Sequence, residues 1–212
     1  EIEMIRVLLV VIGYCFGLLQ TGYLYGKMNG IDIRKQGSGN SGATNTLRVL
    51  GAKAGIIVFF GDMLKCLIPC LVVHYALGFD PQVAYVYMMY MAIGVILGHN
   101  FPFYMGFKGG KGIACTAGWV IALDWRLTLI GIIVFFGITI ATRYVSLGSI
   151  CVVTAMFICS VIFGQMGWMD LGGFAFEFYI LVLFTTVMAI WRHRSNIDRL
   201  IHGTENRFGT KK

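Results

Sequence analysis

The chain has 212 residues, of which 58% are hydrophobic and only 13% are charged, and its mean hydropathy is +0.77. Because soluble domains carry about 25% charged residues, this composition excludes an ordinary soluble domain and predicts an integral membrane protein. The net charge of +7 does not call for nucleic acid as a partner, since cytoplasmic loops rich in Lys and Arg and anionic lipid headgroups account for it.

Seven apolar segments follow one another along the chain: 5–25, 54–77, 83–98, 112–123, 127–142, 147–163 and 171–191. A helix needs about 20 apolar residues to cross a bilayer. The pattern predicts an all-α polytopic membrane protein, a bundle of seven transmembrane helices forming one domain over residues 1–212. The segment 112–123 is too short to cross ~30 Å alone at ~1.5 Å per residue. It either begins inside the preceding loop or forms a half-length helix.

The first apolar segment is interpreted as a retained span and not as a secretory signal peptide. Glu1 and Glu3 flank its start where a signal peptide has a basic leader. No A-x-A cleavage site follows it, so the pattern of a cleaved peptide is missing.

The placement of Lys and Arg predicts the orientation in the membrane. With seven crossings, fourteen of these residues lie on one face and only Arg6 and Arg126 on the other. The basic face carries the segments 26–53, 99–111, 143–146 and 192–212. Because positive charge is enriched on the cytoplasmic side, this face is predicted to be cytoplasmic, with the amino terminus outside and the carboxyl terminus in the cytoplasm.

A first polar segment, 32–48, contains glycines with the G-x-G-x-x-G spacing of a dinucleotide-binding turn. It follows an apolar span and not a short strand, and Asp62, at the distance of a ribose-binding acid, lies inside the next span. This context argues against a nucleotide. Glycines can turn backbone N–H groups toward an anion, so we expect an anion site here, the alternative being a flexible connecting loop. The candidate residues are Gly37, Ser38, Gly39, Asn40, Gly42, Thr44, Asn45 and Arg48.

A second polar segment, 98–114, ends in two lysines that flank a pair of glycines just before an apolar segment. It is not a Walker A loop, because Gly112 stands where Ser or Thr would hold magnesium. Backbone N–H groups and a helix amino terminus could still bind phosphate here; the alternative is a basic turn that anchors the membrane face. The candidate residues are Lys108, Gly109, Gly110, Lys111 and Gly112.

A third polar segment, 191–209, follows the last apolar segment. A basic juxtamembrane tail would explain its arginines but not His193 and Asn196, which are three residues apart and would share a helix face. The three polar segments are predicted to lie on one face. Together they indicate one substrate with more than one phosphate, or two phosphorylated substrates.

Neither the six cysteines nor the four histidines show the spacing of metal ligands. The cysteines lie in apolar segments and are interpreted as packing residues, so no metal site is expected. Asp62 and Lys65 are three residues apart in the second apolar segment. We expect them to pair on one helix face, and we favour a structural role over the functional role that charges at membrane depth often have.

Four motifs resemble the bacterial acyl-phosphate:glycerol-3-phosphate acyltransferases, the PlsY family: "GSGNSGATN" followed by Arg48, "GHNFPFYMGFKGGKG", "TRYVSLGS" and "RHRSNIDRLIHGTEN". The resemblance covers nearly the whole chain, and the motifs occur in the order and at the spacing found in the family. It implies acyl transfer from acyl phosphate to the 1-hydroxyl of glycerol 3-phosphate, giving lysophosphatidic acid and inorganic phosphate, the first committed step of phospholipid synthesis. It implies no metal or cofactor. It also implies a seven-helix bundle in the bacterial cytoplasmic membrane with its site facing the cytoplasm.

The resemblance also suggests roles for residues. The lysines of the second segment and the backbone of residues 37–42 suit the acyl phosphate. Ser38, Arg48, Ser146, His193 and Asn196 suit glycerol 3-phosphate and the reacting carbonyl. The expected catalytic set is Ser38, Arg48, Lys108, His193 and Asn196. The general base stays open between His193, with an ordinary pKa near neutrality, and the substrate phosphate, with a second pKa of about 6.

Two other classes of function remain as alternatives. A transporter for phosphate or an organic phosphate would place polar groups near the midplane and on both faces, whereas here they concentrate on one. A structural membrane subunit would leave the three polar segments unexplained. The expected partners are the two substrates and membrane lipids, without nucleic acid. The sequence does not determine the oligomeric state, and a monomer is the working expectation.

Overall fold

The structure, a computed structural model, describes residues 2–209 except for the side chain of Ile2, and that part of the chain is all-helical. Its α-helices are α1 Ile2–Gly17, α2 Thr21–Met28, α3 Ala43–Leu50, α4 Ala52–Leu71, α5 Pro81–Asn100, α6 Ile113–Leu123, α7 Trp125–Thr142, α8 Val145–Gln165, α9 Ala175–Arg192 and α10 Arg194–Ile201. The prediction of an all-α membrane protein is confirmed. Glu1, Lys211 and Lys212, which entered the signal-peptide and orientation arguments, lie outside the described residues.

Within residues 2–209, six helical segments are long and apolar enough to cross a membrane. They are Glu3–Met28, Ala52–Ala76, Pro81–Met105, Trp125–Thr142, Val145–Gln165 and Gly172–Arg192. The other predicted crossing corresponds to α6, which has 11 residues and is therefore about 16 Å long. Of the two alternatives that the sequence left open, the half-length helix is the one observed. Gly112 adopts a left-handed conformation (φ 84°) and ends the preceding turn, so α6 does not begin inside the loop.

Two helix boundaries differ from those of the apolar segments. The first segment is split, because α1 ends at Gly17 and α2 begins at Thr21. The first polar segment is not a continuous loop, since it contains α3, and Gly51 (φ 87°) turns the chain from α3 into α4. Arg48 is thus held by a helix.

Aspartates cap two of the helices that begin at one end of the bundle. Asp80 precedes α5, and its side chain accepts a hydrogen bond from Gln82 N (3.0 Å). Asp124 precedes α7 and accepts hydrogen bonds from Arg126 N (2.7 Å) and Leu127 N (3.4 Å). These carboxylates satisfy N–H groups that the first helical turn leaves without partners.

The central helix is α5, whose buried residues lie on all sides, as expected of a helix enclosed by others. Glycines allow α1 to pack closely against it. A Cβ on Gly17 would lie 2.2 Å from Val95 O, and a Cβ on Gly98 would lie 2.2 Å from Tyr14 O. Small residues at such crossings let two backbones approach in a membrane bundle. The contact fixes the carboxyl end of α5, which carries His99 and Asn100.

Candidate active site

A cavity of about 140 Å³ lies at the end of the bundle where α3, α6 and α8 begin. It brings together residues from all three polar segments. Of the residues selected from the sequence, its walls contain Ser38, Asn40, Gly42, Thr44, Asn45, Arg48, Lys111, Gly112, Ser146, His193 and Asn196. The selected residues that do not line it are Gly37, Gly39, Lys108, Gly109 and Gly110.

The three helices that begin at the cavity have no side-chain caps. Gly42, Gly112 and Tyr144 precede α3, α6 and α8, and none of them makes a side-chain capping bond. Residues of each first turn line the cavity. The first N–H groups of a helix have no intrahelical acceptor, and they carry partial positive charge. Three such termini around one cavity form a strong anion-binding environment.

The backbone of residues 37–42 forms a turn that is stabilised by hydrogen bonds within the same segment. Gly37 and Gly39 have φ values of 56° and 72°, a region that favours glycine. Gly39 N donates to Gln36 O (2.9 Å), and Gly42 N donates to the Asn40 side chain (2.9 Å). In this structure the turn therefore engages the N–H groups of Gly39 and Gly42, and the anion site expected at this backbone stays a prediction. The open N–H groups belong to the first turn of α3.

Asn45 holds this turn together from inside. It is buried, and its Nδ2 donates to the carbonyls of Ile33 (3.3 Å), Gln36 (3.0 Å) and Asn40 (2.9 Å). Its Oδ1 accepts from Ser38 N (2.8 Å). The side chain was selected as a substrate ligand, but both of its polar atoms are engaged with the loop. In this structure Asn45 positions the backbone of Ser38, and its role as a substrate ligand stays a prediction.

The Gly109–Gly110 pair holds the carboxyl end of α5. Gly109 N donates to Asn100 O and Gly110 N to His99 O, both at 3.1 Å. Arg192 donates to the carbonyls of both glycines, at 3.0 and 2.8 Å. A Cβ on Gly110 would lie 2.1 Å from His99 Nε2. In this structure their N–H groups bond to α5 and their small size makes room for His99, and the phosphate-binding role expected of them stays a prediction.

Lys111, and not Lys108, reaches the cavity. Lys111 is half-buried in the cavity wall and donates to Asn196 Oδ1, whereas Lys108 is exposed outside it. Burial, together with the nearby charge of Arg199, lowers the pKa of Lys111 to about 8. The amine is therefore still mostly protonated at neutral pH. The catalytic role expected of Lys108 stays a prediction, and the lysine that the structure brings to the cavity is Lys111.

A hydrogen-bonded chain links Lys111 to the carboxyl-terminal segment. Asn196 receives the Lys111 hydrogen bond and donates to Glu205 Oε1 (3.0 Å), while Arg199 donates to Glu205 Oε2 (2.8 Å). Asn196 lies on α10 and faces the cavity as expected. Glu205 was missed, although it belongs to the third polar segment, because a buried carboxylate between basic residues gives no short sequence pattern.

His193 lies between α9 and α10, buried in the cavity wall. Its Nδ1 is 2.7 Å from Ala189 O. Because a carbonyl only accepts, Nδ1 carries the hydrogen and Nε2 has the free lone pair. Burial, followed by the charge of Lys111, lowers the pKa of His193 to about 4. The imidazole is neutral at pH 7 and can accept a hydrogen bond from a hydroxyl group.

Arg48 and Ser146 offer unused donors to the cavity. Within residues 2–209, the Arg48 guanidinium has no hydrogen-bond or ion-pair partner, and it is exposed at the cavity. The buried Ser146 Oγ likewise has no partner in the part of the chain that the structure describes. An unpaired buried polar atom such as Ser146 Oγ is rare, so its presence in the cavity, beside the exposed Arg48 guanidinium, indicates a site for a polar ligand.

The cavity also has an apolar side and a buried charged group. Phe59 of α4 and Phe135 of α7 form the apolar side. The expected pair of Asp62 and Lys65 is present, with Lys65 Nζ 2.8 Å from Asp62 Oδ1. Asp62 and His99, however, also line the cavity. His99 was missed because it meets Asp62 only through the packing of α5 on α4.

Comparison with known proteins identifies the family of the chain. The family model described as glycerol-3-phosphate acyltransferase matches residues 7–203. The glycerol-3-phosphate acyltransferase of Clostridioides difficile (strain 630) is 40% identical over 211 residues, which cover 97% of each chain. That of Aquifex aeolicus (strain VF5) is 37% identical over 200 residues, covering 94% of this chain and 97% of the relative.

The fold is similar to that of solved structures. The crystal structure of PlsY, an integral membrane glycerol 3-phosphate acyltransferase, in its glycerol 3-phosphate form superposes with a TM-score of 0.84 at 36% identity, covering 97% of this chain and 96% of that one. Its lysophosphatidic acid form gives a TM-score of 0.81 with the same coverage. The chain belongs to the PlsY-type glycerol-3-phosphate acyltransferase family and is an integral membrane enzyme of that family.

Proposed function

We propose that this acyltransferase takes the acyl group from acyl phosphate and transfers it to the 1-hydroxyl of glycerol 3-phosphate. The products are lysophosphatidic acid, the first committed intermediate of phospholipid synthesis, and inorganic phosphate. The observation that supports this most is the set of three uncapped helix amino termini around one cavity, with Lys111 and Arg48 in its wall. Such a cavity suits two substrates that both carry phosphate.

The reaction needs no covalent enzyme intermediate, because phosphate is already a good leaving group. The glycerol oxygen forms a new bond to the carbonyl carbon, and the bond from that carbon to the phosphate oxygen breaks. The hydroxyl proton leaves with the phosphate. The protein contributes by placing the two substrates and by offsetting the charge on the developing oxyanion. No cofactor enters this scheme.

His193 orients the attacking hydroxyl in this mechanism. Its Nε2 lone pair faces the cavity, since Nδ1 is bound to Ala189 O. A base with a pKa of about 4 gives little driving force for proton removal at pH 7. The phosphate of the acyl donor becomes inorganic phosphate as its bond to the carbonyl carbon breaks, and it grows more basic in that step, so it is the better acceptor. The proton therefore passes to the substrate, and His193 holds the hydroxyl in place.

The remaining polar residues divide between the two phosphates. The Arg48 guanidinium, which has no partner within residues 2–209, can bind a phosphate through two parallel hydrogen bonds. Lys111, held by Asn196, supplies a second positive charge. Ser38, on the first loop, and Ser146, on α8, both line the cavity and can donate to these phosphates. All these groups belong to one chain, so the proposed catalytic unit is a monomer.

The membrane supplies the acyl donor. Phe59 and Phe135 give the cavity an apolar side, and their neighbours Phe60 and Phe136 are exposed on the outer surface of the bundle. An acyl chain can remain in lipid on this side while its anhydride group enters the polar part of the cavity. Burying each methylene is worth about 0.8 kcal/mol, so the lipid-soluble tail stays out of water throughout.

We further propose that the chain passes through the bacterial cytoplasmic membrane seven times, with α6 as a shortened crossing. In support, α6 begins at the cavity and α7 begins at the end capped by aspartates. The basic residues then place the cavity in the cytoplasm and the amino terminus outside. A reporter that fluoresces only in the cytoplasm, fused to the carboxyl terminus, should fluoresce; a silent but inserted fusion would contradict this orientation.

The donor can be tested with purified protein in detergent. Palmitoyl phosphate and glycerol 3-phosphate should give lysophosphatidic acid and phosphate in equal amounts. Palmitoyl-CoA should be inert, because no segment indicates an adenine or pantetheine site. Equal rates with palmitoyl-CoA would show that the donor is wrong, while the acyltransferase assignment would stand.

A further inference from the structure

Three buried side chains beside the cavity have no part in the mechanism above: Asp62 and Lys65 of α4 and His99 of α5. None is more than 5% exposed, and Asp62 and His99 line the cavity. Charged groups at membrane depth are costly and usually functional. An Asp–Lys pair that served only packing would not need a histidine bound to its lysine.

The hydrogen bonds around Lys65 determine which nitrogen of His99 carries hydrogen. Lys65 Nζ contacts Leu19 O, Asp62 Oδ1 (2.8 Å) and His99 Nδ1 (2.9 Å). Thr21 Oγ1 donates to the same Asp62 oxygen (3.0 Å). An ammonium group has three N–H donors and no lone pair, and all three donors are used here. His99 Nδ1 is therefore the acceptor, and the ring hydrogen is on Nε2.

His99 Nε2 points away from Lys65. It lies beside Gly110, where an added Cβ would come within 2.1 Å of it. Within residues 2–209, the side chain of His99 makes its only hydrogen bond through Nδ1. The ring lines the cavity together with the neighbouring Lys111. Nε2–H is thus a donor without an acceptor, at the wall of a cavity built for anions.

We propose that His99 donates a hydrogen bond from Nε2 to an anionic oxygen of the bound substrates, and that Lys65 and Asp62 are positioning residues that hold the ring in this tautomer. The inference rests on the proposed function, which supplies that oxygen. One carboxylate, one ammonium and a neutral imidazole sum to zero charge. The trio therefore adds a directed donor without adding to the positive charge of Lys111 and Arg48.

The tautomer can be measured without any assay of activity. The full chain, labelled with ¹⁵N-histidine, is studied by NMR in detergent at neutral pH, and His99→Gln assigns the signal. We expect a protonated Nε2 and an unprotonated Nδ1, with the Nε2–H signal shifting when glycerol 3-phosphate and an unreactive acyl phosphonate are added. In Asp62→Asn/Lys65→Met, both tautomers should appear. An Nδ1–H tautomer in the parent protein would overturn the proposal.

Kinetics tests the donor itself. His99→Gln keeps an N–H near the position of Nε2 and should retain at least a tenth of kcat, whereas His99→Phe should lose about 100-fold or more. A lower kcat at unchanged KM indicates a bond to the carbonyl oxygen; a KM that rises for one substrate indicates its phosphate. If His99→Phe does not fold, Asp62→Asn/Lys65→Met takes its place, and it should lower kcat while remaining folded.

Two controls separate this role from packing. His74→Gln changes a half-buried histidine in the turn Val72–Ala76, away from the cavity. Asp124→Asn/Arg126→Met removes an ion pair at the other end of the bundle. Both should alter thermal stability at most. If the variants at His99 and Lys65 fold and keep the kinetics of the parent, the proposal fails. A parent protein that is inactive with acyl phosphate would instead refute the proposed function. The NMR measurement would then still test whether Asp62 and Lys65 hold His99 in the Nε2–H tautomer.

Discussion

Replacement of Asn45 tests how the first loop of the site is built. Asn45→Ala removes the hydrogen bonds that the side chain makes with Ile33, Gln36, Ser38 and Asn40. At about 1 kcal/mol net for each bond, and with part of the freed backbone able to meet water, the loss is about 2–4 kcal/mol. Because the loop carries Ser38 into the cavity, we expect kcat/KM to fall by at least about 30-fold, since 2 kcal/mol of misplacement is a factor of that order.

Asn45→Asp makes the test sharper. The carboxylate keeps an acceptor for Ser38 N, but its second oxygen would face the three carbonyl oxygens that Nδ2 now binds. A buried charge opposite acceptors is costly, so Asp should be worse than Ala, although it is closer in shape to Asn. Asn29→Ala is the control, because its amide makes a single exposed bond to Tyr25 O (2.8 Å).

Thermal unfolding in detergent and steady-state kinetics give the two readouts for Asn45. The expected order of stability is parent, then Ala, then Asp, with the control close to the parent. If Asn45→Asp matches the parent in unfolding temperature and kcat/KM, the side chain does not hold the loop. If KM rises strongly in the Asn45 variants while the unfolding temperature is unchanged, Asn45 binds substrate directly.

In His193→Gln, the acidic limb of the rate profile near neutrality should persist, because the proton acceptor is the substrate phosphate; a flat profile beside a clear limb in the parent would make His193 the base. The folded pKa of His193, about 4, lies below the ordinary value of about 6.5. The parent should therefore lose stability as pH falls through this window, and His193→Gln should lose less. Arg48→Lys keeps the charge but loses the planar guanidinium, and Gly39→Ala strains a backbone at φ 72°. Each variant should fold and should lose activity by at least about tenfold. Normal kinetics in both variants would show that the first polar segment only connects two helices. Activity should survive EDTA, because residues 2–209 contain no cluster of three His, Cys, Asp or Glu that could hold a metal ion; loss restored by magnesium or zinc would reveal a missed site.

The features of this site that could be predicted are those that depend on short stretches of sequence, such as the length of an apolar segment or the spacing of polar residues. Apolar length and the placement of Lys and Arg were enough to predict that the three polar segments meet at one end of a helical bundle. His193 and Asn196 were found because their spacing stands out in a basic tail. The shortness of α6 was visible as a run that could not span a bilayer.

What could not be predicted depends on packing and on backbone direction. Lys108 and Lys111 both flank the glycine pair in sequence, and only the path of the folded backbone leaves the Lys108 side chain exposed and brings Lys111 to the cavity. The spacing of the glycines predicts an anion-binding loop, but it does not reveal which N–H groups form hydrogen bonds within the turn itself. His99 and Asp62 meet through contacts between helices that are distant in sequence, and no short motif reports such a contact.

The most direct test of the central claim, that phosphate-bearing substrates react in this cavity, compares two lysines three residues apart. Lys111→Met and Lys108→Met each remove one positive charge from the same turn, but only Lys111 lines the cavity. Lysophosphatidic acid and phosphate formed from acyl phosphate and glycerol 3-phosphate are measured for the parent and for both variants. We expect equal amounts of the two products from the parent, a loss of about 100-fold or more in Lys111→Met, and a change of less than about threefold in Lys108→Met. The reverse order, or equal losses in both, would contradict the placement of the reaction in this cavity.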